Sequence, residues 1–214
     1  MEAINQIILD PRYHDYLGIL KGARNGLVYG VKIRFPHALL MSILFGRGGW
    51  KERAKQIFKA TRQHATNLAA FVTLYKTMLL MQKKFNGGKE RTTDTFIAGL
   101  IGGYIVFGDR NAINEQIVLY VCSRVVASFI PRAGGAAVVD NSRASGSGSG
   151  SGLKSIPPDA RLFSLFAAVC WGSVMWLFNH RGQTIQPGMY SSMRYLYQDS
   201  NRWKDLRTLL WHNT

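Results

Sequence analysis

The sequence predicts an all-α, polytopic membrane helical bundle: four Gly-rich helices plus one further C-terminal membrane helix. Three observations carry this. The run "LFSLFAAVCWGSVMWLF" (162–178) holds no charge. Four further apolar segments precede it, separated by basic connectors. Glycine recurs at Gly18, Gly22, Gly26 and Gly30, every fourth residue of "LGILKGARNGLVYGVKIRF" (17–35).

In the first segment, each glycine inside a helix costs about 0.8–1 kcal/mol relative to alanine. Four on one stripe need a compensating gain. In lipid, helix association depends on close backbone contact, which small residues permit. Positions four apart share one helical face, so Gly18, Gly22, Gly26 and Gly30 are read as a helix-packing face. The segment continues into "FPHALLMSILFG" (35–46), just after Lys32 and Arg34.

Next comes "RGGWKERAKQIFKATRQ" (47–63), read as a basic amphipathic helix suited to an anionic membrane surface. Trp50, Ile57 and Phe58 supply its apolar face, and Lys51, Arg53, Lys55, Lys59 and Arg62 surround it. The second apolar segment, 64–82, contains Lys76; "QKKFNGGKERTTD" (82–94) is a basic loop turning at Gly87-Gly88. The third segment, "TFIAGLIGGYIVFG" (95–108), repeats the packing spacing at Gly99 and Gly103. The fourth (112–131) contains Glu115 and Arg124. The tight connector "GDRN" (108–111) predicts that segments three and four form an antiparallel hairpin.

The domain reading follows: a four-helix membrane domain over 1–132, a Gly/Ser-rich linker over 133–160 around "ASGSGSGSG", and a C-terminal membrane helix with a basic tail over 161–214. The last apolar run rises about 26 Å as a helix, nearly the hydrocarbon thickness. Trp171 and Trp176 give it interfacial character, between Arg161 and Arg181.

Lys32, Arg34, Lys76, Glu115 and Arg124 are the candidate intramembrane polar residues. Such residues face the bundle interior, pair or snorkel. Glu115 is expected to pair inside the bundle with a Lys or Arg of another segment, Lys76 among the candidates. No nucleophile elbow, P-loop, dinucleotide fingerprint or histidine cluster occurs. Cys122 and Cys170 sit in apolar runs and form no metal-binding spacing. A non-enzymatic chain without cofactor or metal is expected. The net charge of +15 suits an anionic partner. The uncharged run argues against a soluble nucleic-acid binder and favours the lipid bilayer.

Three blocks, 20–45, 102–117 and 191–203, resemble a family of small integral peroxisomal membrane proteins. That family is similar in turn to the mitochondrial inner-membrane preprotein translocases, through the Gly-striped first helix and "FVTLYKTMLLMQKKFNGGKERTTDTFIAGLIGG" (71–103). The chain has Tyr75 where the translocases carry an acidic residue. The resemblance implies a multi-pass protein of the peroxisomal membrane, as a scaffold subunit or small pore, with a translocase-type channel as the alternative. It also implies recognition by the peroxisomal membrane-protein import receptor, peroxin nineteen, for which 50–62 has the expected basic and apolar form. A homo- or hetero-oligomer fits the same resemblance.

Overall fold

A computed structural model describes residues 8–129 and 160–211, and these are helical with no strand. The Ser-Gly linker lies outside the described residues. Helix α1 (Pro11–Phe45) is 35 residues long. The Asp10 carboxylate caps it, accepting from the Arg12 N–H at 2.9 Å, and Pro11 sits at the first helical position, where no N–H is needed. After a turn through Gly48, whose φ of 92° only glycine adopts readily, the chain enters α2 (Trp50–Phe85).

Residues 50–63 are therefore not a separate amphipathic helix between spans but the opening turns of a continuous 36-residue helix. The reason is local. No Gly or Pro interrupts 50–85, and Lys, Arg, Glu, Gln and Ala are good helix formers. A change from charged to apolar does not end a helix. Gly87 and Gly88, at φ 63° and 85°, do end it, with the Gly88 N–H bonded to the Lys83 carbonyl at 2.8 Å.

Helix α3 (Asp94–Phe107) and α4 (Ala112–Ser128) follow. Asn111 starts α4, its side-chain oxygen accepting from the N–H groups of Ile113 and Asn114 at 3.1 and 3.0 Å. Despite the short connector, α3 and α4 do not form a packed hairpin. Helix α5 (Ala160–His180) packs along α3 instead and also touches α4. The Gly99 and Gly103 face selects this partner: a Cβ on Gly99 would stand 2.8 Å from the Trp171 carbonyl oxygen, and one on Gly103 2.6 Å from Trp171 Cβ.

The same geometry joins α1 to α2 as antiparallel neighbours. A Cβ on Gly22 would lie 2.9 Å from Val72 Cγ1, on Gly26 2.9 Å from Ala69 Cα, and on Gly30 2.5 Å from Ala65 Cα. Helices α2 and α4 contain no glycine. Between α1 and α2 the bare backbone is therefore on one side, whereas α5 adds Gly172 against Phe96 and Leu100 of α3.

An aromatic layer fills the middle of the bundle. Trp171 lies with its ring centre 4.2 Å from Phe71 and 4.6 Å from Phe107, and Phe71 and Phe107 are fully buried. Outward, α1 exposes Leu40, Ile43, Leu44 and Phe45, α4 exposes Leu119, and α5 exposes Leu162 and Leu165. By length and composition, Pro11–Phe45 and Arg161–His180 are able to cross a membrane; Asp94–Phe107 is apolar but shorter.

Residues after α5 are not a trailing basic tail. A 3₁₀ turn (Gly182–Thr184), α6 (Pro187–Met193), a π-helical turn (Arg194–Gln198) and a 3₁₀ turn (Asp199–Asn201) fold back along α1. Met189, Met193, Leu196 and Tyr197 are buried there, and burial of these side chains is what ties the segment down. A final short helix, α7 (Leu206–Leu210), is capped by Asp205. Hydrogen bonding from Thr208, its backbone N–H foremost, holds the Asp205 carboxyl below the usual carboxylate range.

Gly30→Ala is expected to lower the melting temperature in detergent, by about 1–3 kcal/mol of overpacking, and Gly30→Leu to prevent folding. Gly188→Ala, where a Cβ meets only ordinary contacts from 3.5 Å outward, is the control and should melt as the wild type does. Thermal unfolding of the purified variants checks this.

Candidate functional site: a buried lysine pair beneath a polar cavity

Two cations lie inside the junction of α1, α2 and the C-terminal segment. Lys21 is 1% exposed and Lys76 9%. Lys21 sits one residue before Gly22, on the side of α1 that meets the C-terminal segment. Its Nζ donates to the Arg202 carbonyl and lies 6.0 Å from the centre of the Trp203 ring. Lys76 Nζ donates to the Gly18 carbonyl at 2.9 Å and to Asn201 Oδ1 at 2.6 Å. No carboxylate lies within 4 Å of either ammonium among the described residues. Neutral oxygens on the returning chain take that place, so each cation ties the C-terminal segment to the bundle.

Asn25, fully buried, extends the seam by donating to the Tyr195 carbonyl at 3.0 Å. Tyr29 donates to the Ser192 hydroxyl. Tyr75 OH accepts from Asn179 Nδ2 at 3.0 Å, and the Tyr75 ring meets Tyr197 edge-on at 5.2 Å. Tyr75 thus joins α2 to α5 and to the returning segment.

Above Lys76 is a cavity of about 300 Å³, lined by His14, Asp15, Lys83, Glu90, Asn179 and Asn201 among others. Charges of both signs rim it. It can admit small polar solutes but brings together no nucleophile with a base. Among the described residues, no three His, Cys, Asp or Glu side chains cluster to hold a metal.

The other residues singled out by sequence are dispersed. Lys32 is exposed on α1. Arg34 Nη1 donates to Gln116 Oε1 at 3.1 Å, joining α1 to α4. Arg124 lies 4.8 Å over the Tyr120 ring on its own helix. Glu115 does not pair across the bundle. It bonds Arg110 of the adjoining connector at 2.6 Å, with both side chains about one-third exposed. The first turn of α4 explains this: a carboxylate is favoured at the positive end of the helix, beside the nearest arginine. Lys76 is held elsewhere, at Gly18 and Asn201.

In the 50–62 stretch, Trp50 and Phe58 are two-thirds exposed, as are Lys51, Lys55, Lys59 and Arg62 to solvent-facing degrees, whereas Ile57 is buried. Ile57 is thus not an open anchor. Arg53 is spent locally: its guanidinium donates to the carbonyls of Gly48, Gly46 and Ser42 that end α1, at 3.1, 2.5 and 3.4 Å. Sequence reasoning passed over Lys21, Asn25 and Asn201. For the first two the signal was present, polar residues interleaved in a glycine stripe; for Asn201 there was none.

Glycine-faced helices, outward-facing aliphatic side chains and buried cations satisfied by backbone oxygens define a small-residue-packed helical bundle of membrane type. The chain belongs to the Tim17/Tim22/Tim23/Pmp24 family, whose model matches residues 13–123. It is similar to Peroxisomal membrane protein 4 of Bos taurus, 42% identical over 213 residues, covering 99% of this chain and 92% of the relative. It is also similar to Peroxisomal membrane protein 4 of Homo sapiens, 41% identical over 212 residues, covering 98% and 91%. No solved structure matches the chain.

Asn201→Leu should destabilise more than Lys76→Met. The first leaves a buried ammonium with the Gly18 carbonyl alone of its two acceptors, at a cost of about 1–3 kcal/mol, while the second removes the charge itself. Thermal unfolding, with protease release of 182–211 as a second readout, checks the order. Glu115→Gln should cost only about 0–1 kcal/mol, as partly exposed pairs do; the same melting experiment measures it.

Proposed function

We propose that the chain is an integral, multi-pass protein of the peroxisomal membrane that works without catalysis, as a packing or scaffold subunit. The aromatic layer of Phe71, Phe107 and Trp171 is the observation that carries the scaffold reading. It fills the bundle where a permeation path would run. The names of the two mammalian relatives support the peroxisomal address, and the apolar outer faces of α1, α4 and α5 support insertion in lipid and contact with further copies or other subunits. A small pore or translocase-like channel is the second reading, favoured by the polar cavity over Lys76.

Two experiments separate these. In isolated organelles, the full chain should stay in the membrane pellet after alkaline carbonate extraction, and release to the supernatant overturns the integral reading. Liposomes reconstituted with the purified chain should show no solute flux above empty liposomes. Flux that is blocked by Lys76→Trp would establish the pore instead.

For targeting, the import receptor peroxin nineteen is proposed to read 47–63 through Trp50 and Phe58, the exposed apolar pair among exposed cations. A peptide of 47–63 should bind the receptor, and Trp50→Asp with Phe58→Asp should abolish binding in a pull-down. If a reporter carrying residues 153–185 reaches peroxisomes while the full-length double variant is still targeted normally, the address lies in α5.

A further inference from the structure

A second cavity, of about 380 Å³, lies between α1, α2, α4 and the returning C-terminal segment. Most of its wall is apolar, with Ile33, Leu68, Val121, Met193 and Leu196 contributing. Three nitrogens in this same wall are buried and meet no hydrogen-bond partner: Arg34 Nε, His64 Nδ1 and Trp171 Nε1. The Trp171 N–H is itself buried, on a residue that is 5% exposed. Buried polar groups are otherwise satisfied in nearly all native structures, and an unmet one costs about 1–3 kcal/mol. Three in one wall point to a missing acceptor.

The donor set defines that acceptor. Arginine Nε–H and tryptophan Nε1–H can only donate, and His64 can present an N–H at Nδ1 in one tautomer or when charged. The Arg34 guanidinium has one neutral partner, Gln116 Oε1, and no carboxylate within 4 Å among the described residues. Among the described residues no carboxylate lines the cavity, so the guanidinium there has no counter-charge. An oxyanion supplies one, and a guanidinium fork suits a carboxylate or a phosphate. An oxyanion alone leaves the apolar wall uncovered, whereas an acyl chain covers it. Ile33 and Tyr120 line the same cavity and are 46% exposed, so it opens on the outer, lipid-facing side of the bundle. Its volume is within the range of about 300–1,000 Å³ typical of ligand sites.

We infer that the cavity between Arg34, His64 and Trp171 binds an anionic single-chain amphiphile: an acyl chain whose carboxylate or phosphate head pairs with the Arg34 guanidinium. The chain lies against Leu68, Val121 and Met193. Neither the scaffold reading nor the pore reading supplies this site.

The test uses the full chain purified in an uncharged detergent, with radiolabelled palmitate as the probe. Hexadecanol, lysophosphatidic acid and inorganic phosphate serve as competitors. Saturable palmitate binding is expected, displaced by palmitate or lysophosphatidic acid. Hexadecanol and inorganic phosphate should each compete at least about tenfold more weakly, because each lacks half of the ligand. The stronger of palmitate and lysophosphatidic acid identifies the head as carboxylate or phosphate. Arg34→Gln should weaken binding about tenfold or more, and Arg34→Lys should restore part of it. Trp171→Phe should weaken it a few-fold. Equal competition by hexadecanol, or unchanged binding by a folded Arg34→Gln variant, overturns the proposal. Should that variant not fold, a diazirine-bearing palmitate on the wild-type chain decides. Label on peptides containing Leu68, Val121 or Met193 supports the site, and label confined to the outer face of α5, at Leu162 and Leu165, overturns it.

Discussion

Everything in this bundle hangs on the distance between α1 and α2. At Gly30 the two backbones are so close that a single added carbon would stand 2.5 Å from Ala65 Cα. Such proximity is worth having where the surroundings are apolar, because lipid leaves little hydrophobic gain for bulky side chains to exploit. Dispersion contacts take over that role, backbone to backbone at Gly26 and Gly30 and with the Val72 side chain at Gly22. The α3–α5 pair repeats the device with Gly99 and Gly103 against Trp171.

Beside the packing stripe lie Lys21 and Asn25, buried donors that meet the C-terminal segment. Enclosed donors need oxygens, and α1 supplies one, the Gly18 carbonyl that takes Lys76. The C-terminal segment, with its short irregular turns, has free carbonyls at Tyr195 and Arg202 and the side chain of Asn201. The irregularity of that segment is thus functional in a plain sense: a regular helix would offer few backbone acceptors sideways. Glycine packing and C-terminal docking are one arrangement seen from two sides.

The same logic separates the two cavities. Over Lys76, charges of both signs face an opening, and the lysine itself is satisfied by Gly18 and Asn201. Beside Trp171 the wall is apolar and the nitrogens are unmet. The two cavities thus differ in what their walls offer a ligand: mixed charge in the first, a guanidinium in an apolar wall in the second.

Sequence by itself determined the helical class, the Gly-faced first and third helices and the apolar run that becomes α5. Each is a local periodicity or composition, and helix geometry turns such patterns directly into faces. It also located the turn at Gly87-Gly88, where left-handed backbone needs glycine. Which helix meets which face was decided only by the tertiary structure. The 108–111 connector suggested that α3 would lie on α4, but Trp171 and Ala167 of α5 fit the Gly99–Gly103 groove, and shape complementarity is not written in loop length. The extent of α2 was misjudged from charge, because charge marks the environment of a helix and not its end. Glu115 and Lys76 looked like partners because both are charged residues in apolar segments, yet they are satisfied far apart, by Arg110 and by Asn201. A residue's partner depends on where the whole chain returns, and the return of 182–211 onto α1 rests on many weak contacts with no local signature.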